Sequence, residues 1–135
     1  MSARTLMLVL LMALPPASHA DDYLSPGLTP DEVAGSLGTI QVPLIVDVRK
    51  SAEYAIAHIP GAINIPHTEL SERLDEIRGE NGVLIYCFNG SRTREAEHVL
   101  YENNIHNVYH LDGTFEKWLL NSYPIEKGGV KKTGW

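Results

Sequence analysis

The stretch VLIYCFNGSRTREAEHVL, residues 83–100, decides the fold. Its first four residues are all apolar or aromatic, which suits a short strand buried on both faces of a sheet. A helix is predicted from about Ser91, with Ala96, Val99 and Leu100 facing the core. The carboxylates of this helix are predicted to face solvent: Glu95, Glu97 and Glu102. A buried strand that leads directly into a helix is one step of an α/β fold.

The same alternation of strand and helix patterns continues on both sides of this stretch. Further strands are predicted at residues 42–48, 62–65 and 107–111. Further helices are predicted to begin near Thr29, Ser51, Thr68 and Phe115. The pattern predicts an α/β domain with a central, mostly parallel sheet and helices on both faces. Functional sites in such sheets form at the carboxyl ends of the strands, and Cys87 stands at that position.

The first twenty residues are typical of a secretory signal peptide. Arg4 supplies a positive charge, residues 6–14 are apolar, and Pro15-Pro16 ends that run. Small residues at Ser18 and Ala20 predict cleavage after Ala20, so we expect a periplasmic or secreted protein that leaves the membrane. An uncleaved anchor is the alternative, although the apolar run is about half the roughly 20 residues that span a bilayer.

Length and charge limit the remaining possibilities. Removing 20 of 135 residues leaves 115, which is enough for one domain, and a monomer is the default expectation at this size. The predicted segments are a linker at 21–27, the domain at 28–126 and a mobile tail at 127–135. Without Arg4 the chain has 10 basic and 17 acidic side chains, a net charge of −7. That balance argues against nucleic acid and anionic membranes as partners.

Cys87 is the only cysteine in the chain, so it cannot form an internal disulfide. The start of the following helix and the charges of Arg92 and Arg94 would all stabilise its thiolate form. Gly90 can adopt a positive φ, which would let consecutive backbone N–H groups surround an anion. These features predict a reactive thiolate. The alternative is an inert, buried cysteine at a strand end.

Several motifs along the chain resemble those of the rhodanese (sulfurtransferase) family. In order they are DVR at 47–49, EY at 53–54, HIPGAINIP at 58–66, CFNGSR at 87–92, LDG at 111–113 with Trp118, and YPIE at 123–126. The resemblance implies a rhodanese-like three-layer fold. Ala57, Thr114 and Ser122 occupy turn positions where the family usually has glycine, so these departures concern local backbone geometry more than the chemistry.

The resemblance implies that Cys87 takes a sulfane sulfur from a donor such as thiosulfate and passes it to cyanide or a thiol. The rest of the loop would bind the anionic substrate: Phe88, Asn89, Gly90, Ser91 and Arg92. Arg49 would either contact the substrate or shape the loop with Asp47 and His58. No metal or organic cofactor is expected. The alternatives are a relay module loaded by a protein thiol partner, and a redox thiol that forms mixed disulfides.

The length of the CFNGSR loop distinguishes sulfur from phosphate chemistry. Related cell-cycle phosphatases place five residues between the cysteine and the arginine, and a histidine before the cysteine. Here four residues separate Cys87 from Arg92, and Tyr86 precedes the cysteine. The sequence therefore favours a sulfurtransferase over a phosphatase.

Overall fold

A computed structural model describes residues 25–129. The predicted signal peptide, residues 21–24 of the predicted linker and residues 130–135 of the predicted tail lie outside this range. The strands are β1 (Gly27–Leu28), β2 (Leu44–Asp47), β3 (Ile63–Asn64), β4 (Val83–Tyr86) and β5 (Val108–Leu111). The α-helices are α1 (Pro30–Ser36), α2 (Ser51–Ile56), α3 (Ser91–Glu102) and α4 (Thr114–Leu120). Within residues 25–129, no helix has the length and apolar character needed to cross a membrane.

The five strands form one sheet in the order β1-β5-β4-β2-β3, and every neighbouring pair is parallel. The central strand β4 and its neighbour β2 pair in register from Leu44 opposite Val83 to Asp47 opposite Tyr86. Parallel neighbours need crossover connections, which the intervening helices and turns provide. The predicted α/β architecture with a parallel sheet is confirmed.

Each face of the sheet has its own hydrophobic core, because successive side chains of a strand point to opposite faces. On one face Leu84 and Tyr86 pack with three large aromatic residues, Tyr54, Phe115 and Trp118. On the other face the core consists mainly of aliphatic residues and contains Val83, Ile85, Cys87, Ala96 and Leu100. The sheet therefore lies between two outer layers, and the three-layer fold is confirmed.

Two predictions about local structure need correction. The helix predicted from Thr68 is wrong: the segment forms two 3₁₀ turns, Leu70–Glu72 and Leu74–Glu76. Arg73 separates them because its backbone (φ −124°, ψ 27°) leaves the helical region. Strand β1 was not predicted, since two residues after a proline form no recognisable apolar or alternating run.

The three turn positions that lack the family's usual glycine behave differently. Thr114 and Ser122 have φ values of 64° and 57°, in the left-handed region that costs a β-branched or bulky residue most. Ala57 has φ −164°, which is ordinary extended backbone. The missing glycines therefore leave strain at Thr114 and Ser122 and none at Ala57.

Candidate active site

Cys87 follows β4 directly, and the loop from Phe88 to Gly90 connects it to α3. Gly90 lies just before the helix with φ 94°, a conformation that glycine adopts without steric cost. A Cβ atom added there would meet only the Thr114 methyl group, at 3.6 Å. Conformation rather than lack of space therefore favours glycine, and the predicted positive φ at this position is confirmed.

The thiol of Cys87 is fully buried and faces backbone rather than solvent. The Gly90 N–H lies 3.0 Å from Sγ and donates to it. The carbonyl groups of Cys87 and Phe88 accept from the N–H groups of Phe115 and Glu116, at 3.1 and 3.3 Å. These contacts attach the loop to the start of α4 and keep the curve that directs Gly90 N–H to the sulfur.

Three side chains of the loop lie at its outer surface. Phe88 is 39% exposed. Asn89 Oδ1 accepts from the backbone N–H of Ser91 at 3.3 Å and from its hydroxyl at 2.9 Å. Asn89 and Ser91 therefore stabilise the turn into α3, while Phe88 presents an aromatic ring beside Cys87.

Arg92 forms a two-pronged ion pair with Glu53 of α2. Its Nη1 and Nη2 atoms lie 2.7 and 3.1 Å from the two carboxylate oxygens. These hydrogen bonds are the main reason that the pKa of Glu53 falls from 4.5 to about 2. Glu53 lies in the EY motif but was not predicted as a site residue. A single sequence does not reveal that two residues 39 positions apart form an ion pair.

Arg49 is only 4% exposed, and its guanidinium carbon lies 4.3 Å from the centroid of the Phe115 ring. Its Nη2 atom donates to Asp47 Oδ2 and to the Ala57 carbonyl, both at 2.6 Å. The Tyr86 hydroxyl donates to the same Asp47 oxygen at 2.8 Å. Burial and then the nearby Asp47 charge raise the pKa of Tyr86 well above 10, so this hydroxyl remains a donor. The network supports the residue immediately before Cys87.

His58 belongs to a separate cluster at the end of α2. Its Nδ1 lies 2.8 Å from the Tyr54 carbonyl, and its ring stacks on the Tyr54 ring with centroids 3.7 Å apart. Its backbone pairs with Glu126 near the end of the predicted domain. The next residue, Ile59, donates its N–H to the Tyr86 hydroxyl at 3.1 Å, so the His58 turn is linked to the Asp47 network.

A cavity of about 220 Å³ lies beside Cys87, between α3 and the turn after β5. Glu97 lines it and is 5% exposed, so the prediction that Glu97 faces solvent is wrong. The Ser25 hydroxyl donates to Glu97, and His110 lies 3.4 Å from the same carboxylate. The sequence did indicate that Glu97 is buried, because it lies four residues after Thr93 and three before Leu100, on the same helical face.

No group of three or more potential ligand side chains among residues 25–129 is arranged to hold a metal ion. Residues 29–121 match the family described as the Rhodanese-like domain. The protein belongs to this family. Rhodanese-like domains are sulfurtransferases or sulfur-relay modules, which gives the buried thiol and its N–H donor a chemical context.

Curated proteins and solved structures also resemble this chain. A Bacillus subtilis protein, YqhL, is 40% identical over 74 residues, which cover 55% of this chain and 59% of that protein. The Mycobacterium tuberculosis HTH-type transcriptional regulator Rv0324 is 36% identical over 85 residues, 62% of this chain and 38% of the regulator. The chain thus spans less than two thirds of either protein.

Among solved structures, a rhodanese-related protein from Thermoplasma volcanium matches with a TM-score of 0.66 at 23% identity. The match covers 75% of this chain and 97% of that one. At this level of identity the similarity concerns the fold, which is the rhodanese fold.

Proposed function

We propose that the protein is a sulfurtransferase in which Cys87 carries a sulfane sulfur as a persulfide. The donor is a small anion such as thiosulfate, and the acceptor is cyanide or a thiol. The observation that carries this proposal is the hydrogen bond that the Gly90 N–H donates to Cys87 Sγ, with 3.0 Å between N and Sγ. Cys87 lies at the carboxyl end of β4, the central strand of the parallel sheet. A backbone donor at that position stabilises negative charge on sulfur.

The proposed reaction has two displacements. The Cys87 thiolate attacks the outer sulfur of thiosulfate, the S–S bond of thiosulfate breaks, and sulfite leaves with the bonding electron pair. An acceptor then attacks the outer sulfur of the Cys87 persulfide, and Cys87 leaves as the thiolate. One sulfur acts as nucleophile, carrier and leaving group, so the residues need no external oxidant or cofactor.

The two arginines near the loop support this chemistry in different ways. Arg49 is buried and bound to Asp47 and Ala57, which favours a role in shaping the loop over contact with the donor. Arg92 is partly exposed and pairs with Glu53. We propose that Arg92 holds the loop closed at rest and can turn to an anionic donor.

The test is thiocyanate formation from thiosulfate and cyanide by wild type and Cys87→Ala. We expect the variant to lose activity to background. Glu102→Gln, an exposed change on α3, should retain it. Mass spectrometry after thiosulfate treatment should find about 32 Da added to the peptide that contains Cys87. Undiminished thiocyanate formation by Cys87→Ala would exclude the proposed function.

A sulfur-relay function is the second candidate, and the exposed ring of Phe88 favours it. An aromatic side chain at the loop, 39% exposed, suits contact with a protein partner. In that case Cys87 is loaded by a protein persulfide, and turnover with thiosulfate is slow. Phe88→Ala would then slow transfer from the protein donor more than it slows loading by thiosulfate. Equal effects on both donors would contradict the relay.

Export is a separate proposal that depends on the signal-like residues 1–20. Expression of the full chain in a bacterium, followed by N-terminal sequencing of the periplasmic fraction, should give a mature protein that begins at Asp21. A cytoplasmic protein with an intact N-terminus would contradict it.

A further inference from the structure

Thr114, the first residue of α4, has a strained backbone beside the Cys87 loop. Its φ of 64° is in the left-handed region, where a β-branched residue is a genuine outlier. Such strain persists only where the surrounding structure enforces it, and it is common at functional sites. A threonine at this position therefore destabilises the fold relative to glycine, which adopts a positive φ without steric cost.

Two backbone hydrogen bonds hold the start of α4 against the Cys87 loop. The N–H of Phe115 donates to the Cys87 carbonyl at 3.1 Å. The N–H of Glu116 donates to the Phe88 carbonyl at 3.3 Å. The donors are the two residues directly after Thr114, so these bonds fix the Thr114 backbone relative to the loop that carries the sulfur.

The Thr114 side chain lies next to Gly90 and in the wall of the cavity beside Cys87. A Cβ atom built on Gly90 would be 3.6 Å from the Thr114 methyl carbon. The Gly90 N–H donates to Cys87 Sγ at 3.0 Å. Thr114, Gly90 and Cys87 all line the cavity. The methyl group and the sulfur are thus neighbours of the same glycine, and the Thr114 side chain reduces the space near the thiol.

The composition and volume of the cavity indicate that size selects its occupant. With His110 neutral, the charged side chains in the lining are Arg94 and Glu97, and their charges cancel. The volume of about 220 Å³ is below the range of most ligand pockets, about 300–1,000 Å³. A cavity this small excludes bulky groups by steric overlap, and the side chains in its wall set that limit.

We propose that the Thr114 side chain limits the size of the sulfur donor that reacts with Cys87. This inference rests on the proposed sulfurtransferase function. In the loading step, the Cys87 thiolate attacks the outer sulfur of a donor R–SO₂–S⁻. The bond between that sulfur and the sulfonyl sulfur breaks, and R–SO₂⁻ leaves with the bonding electron pair.

The direction of attack explains why Thr114 would affect the leaving group. In-line attack places the sulfonyl sulfur about two S–S bond lengths, roughly 4 Å, from Sγ. The substituent R then extends beyond it into the space that the Thr114 side chain narrows. Thiosulfate, whose R is a single oxygen, fits this space, and a donor with a large R is excluded.

The test compares two donors that each carry one negative charge and differ in size, methanethiosulfonate and benzenethiosulfonate. Cyanide is the acceptor, and thiocyanate formation is the readout. In a double displacement, kcat/KM for the donor reports on the loading step alone. We expect Thr114→Gly to raise the ratio of kcat/KM for the aromatic over the methyl donor about tenfold, because one methylene in a pocket changes discrimination about 10- to 200-fold. Comparison with wild type cancels the intrinsic reactivities of the donors.

Two further variants separate the size of the side chain from the strain of the backbone. Thr114→Ser removes only the methyl group and should also raise the ratio. The matched control is Ser122→Gly, because Ser122 also has a positive φ, 57°, but is exposed beyond the other end of α4. This control removes a strained residue without enlarging the cavity, so it should keep the wild-type ratio. The ratio does not depend on how much of a variant is folded.

Failure of this inference can be distinguished from failure of the proposed function. A wild-type ratio in both Thr114→Gly and Thr114→Ser, with normal thiocyanate formation from thiosulfate, would overturn the size limit alone. An equal rise in Ser122→Gly would do the same, because it would assign the effect to relief of backbone strain. Absence of thiocyanate formation by the wild type with thiosulfate and with both thiosulfonates would overturn the proposed function and this inference with it.

Discussion

Two arginine–carboxylate pairs flank the Cys87 loop, and they differ in burial rather than in the distance between nitrogen and oxygen. Arg49 and Asp47 are 2.6 Å apart, with side chains that are 5% and 0% exposed. Arg92 and Glu53 are 2.7 Å apart, with side chains that are 20% and 34% exposed. Similar distances therefore belong to two different electrostatic environments.

The difference implies two roles. The buried pair is part of a network in which Asp47 also accepts from Tyr86 and Arg49 also donates to Ala57. Removing one partner would leave a buried charge without compensation, which is costly. The Arg92–Glu53 pair reaches solvent, where breaking an ion pair costs little. We therefore propose that the first pair maintains the loop and that the second can exchange partners.

The largest expected effect is that of Asp47→Asn. Loss of this carboxylate leaves the Arg49 guanidinium buried without a counter-charge, so we expect the free energy of unfolding to fall by about 3–5 kcal/mol. Urea unfolding followed by circular dichroism measures this change. The matched control is Glu102→Gln, which should change stability by less than about 0.5 kcal/mol. A loss below about 1 kcal/mol for Asp47→Asn would mean that the two pairs do not differ as proposed.

Glu53→Gln should lower the free energy of unfolding by less than Asp47→Asn does, and it should strengthen the binding of thiosulfate. Because the pair is partly exposed, we expect a loss of about 1 kcal/mol at most. The released Arg92 would be available to thiosulfate, so the KM for thiosulfate should fall several-fold. Steady-state kinetics at saturating cyanide measure this. An unchanged or higher KM would indicate that Arg92 has no contact with the donor.

The contribution of Glu53 should also depend on pH. Arg92 lowers the pKa of Glu53 from 4.5 to about 2, so folding favours the ionised carboxylate. The resulting stability is fully present above pH 4.5 and is lost as the pH falls through about 2. The difference in unfolding free energy between wild type and Glu53→Gln should therefore shrink across that interval. A constant difference would assign the effect of the variant to something other than this ion pair.

The smallest expected effect is that of salt. Raising ionic strength from about 0.01 M to about 1 M shortens the screening length from about 30 Å to about 3 Å, which weakens exposed pairs more than buried ones. The stability difference between wild type and Glu53→Gln should shrink by a few tenths of a kcal/mol, about the size of an exposed pair. The difference for Asp47→Asn should stay constant. Equal salt dependence of the two differences would remove the distinction between the pairs.

Much of the fold follows from local sequence patterns. Residues 83–86 form a strand because they are continuously apolar, and α3 begins at Ser91, as predicted. The capping motif at Thr29 likewise predicts α1, in which the Thr29 side chain and Glu32 bond to each other's backbone N–H groups. Such signals are local, since the interacting groups lie within one or two turns of each other.

Other features depend on contacts between distant segments. The segment after Thr68 has helical spacing of Leu70, Leu74 and Ile77 but forms two 3₁₀ turns. Leu70 and Ile77 are buried nonetheless, so the apolar positions were informative even though the predicted helix was wrong. Packing against the sheet and α3 decides this local geometry, because helix propensity is a weak preference that tertiary contacts override.

The sequence by itself determined where Cys87 lies, at the end of a buried strand and before a glycine that accepts a positive φ. These properties come from residues adjacent in the chain. Tertiary structure alone decided that Arg92 pairs with Glu53, and that Glu97 and His110 meet in the wall of the cavity. The physical reason is that an ion pair depends on distance and burial in space, which only the packed sheet and helices establish.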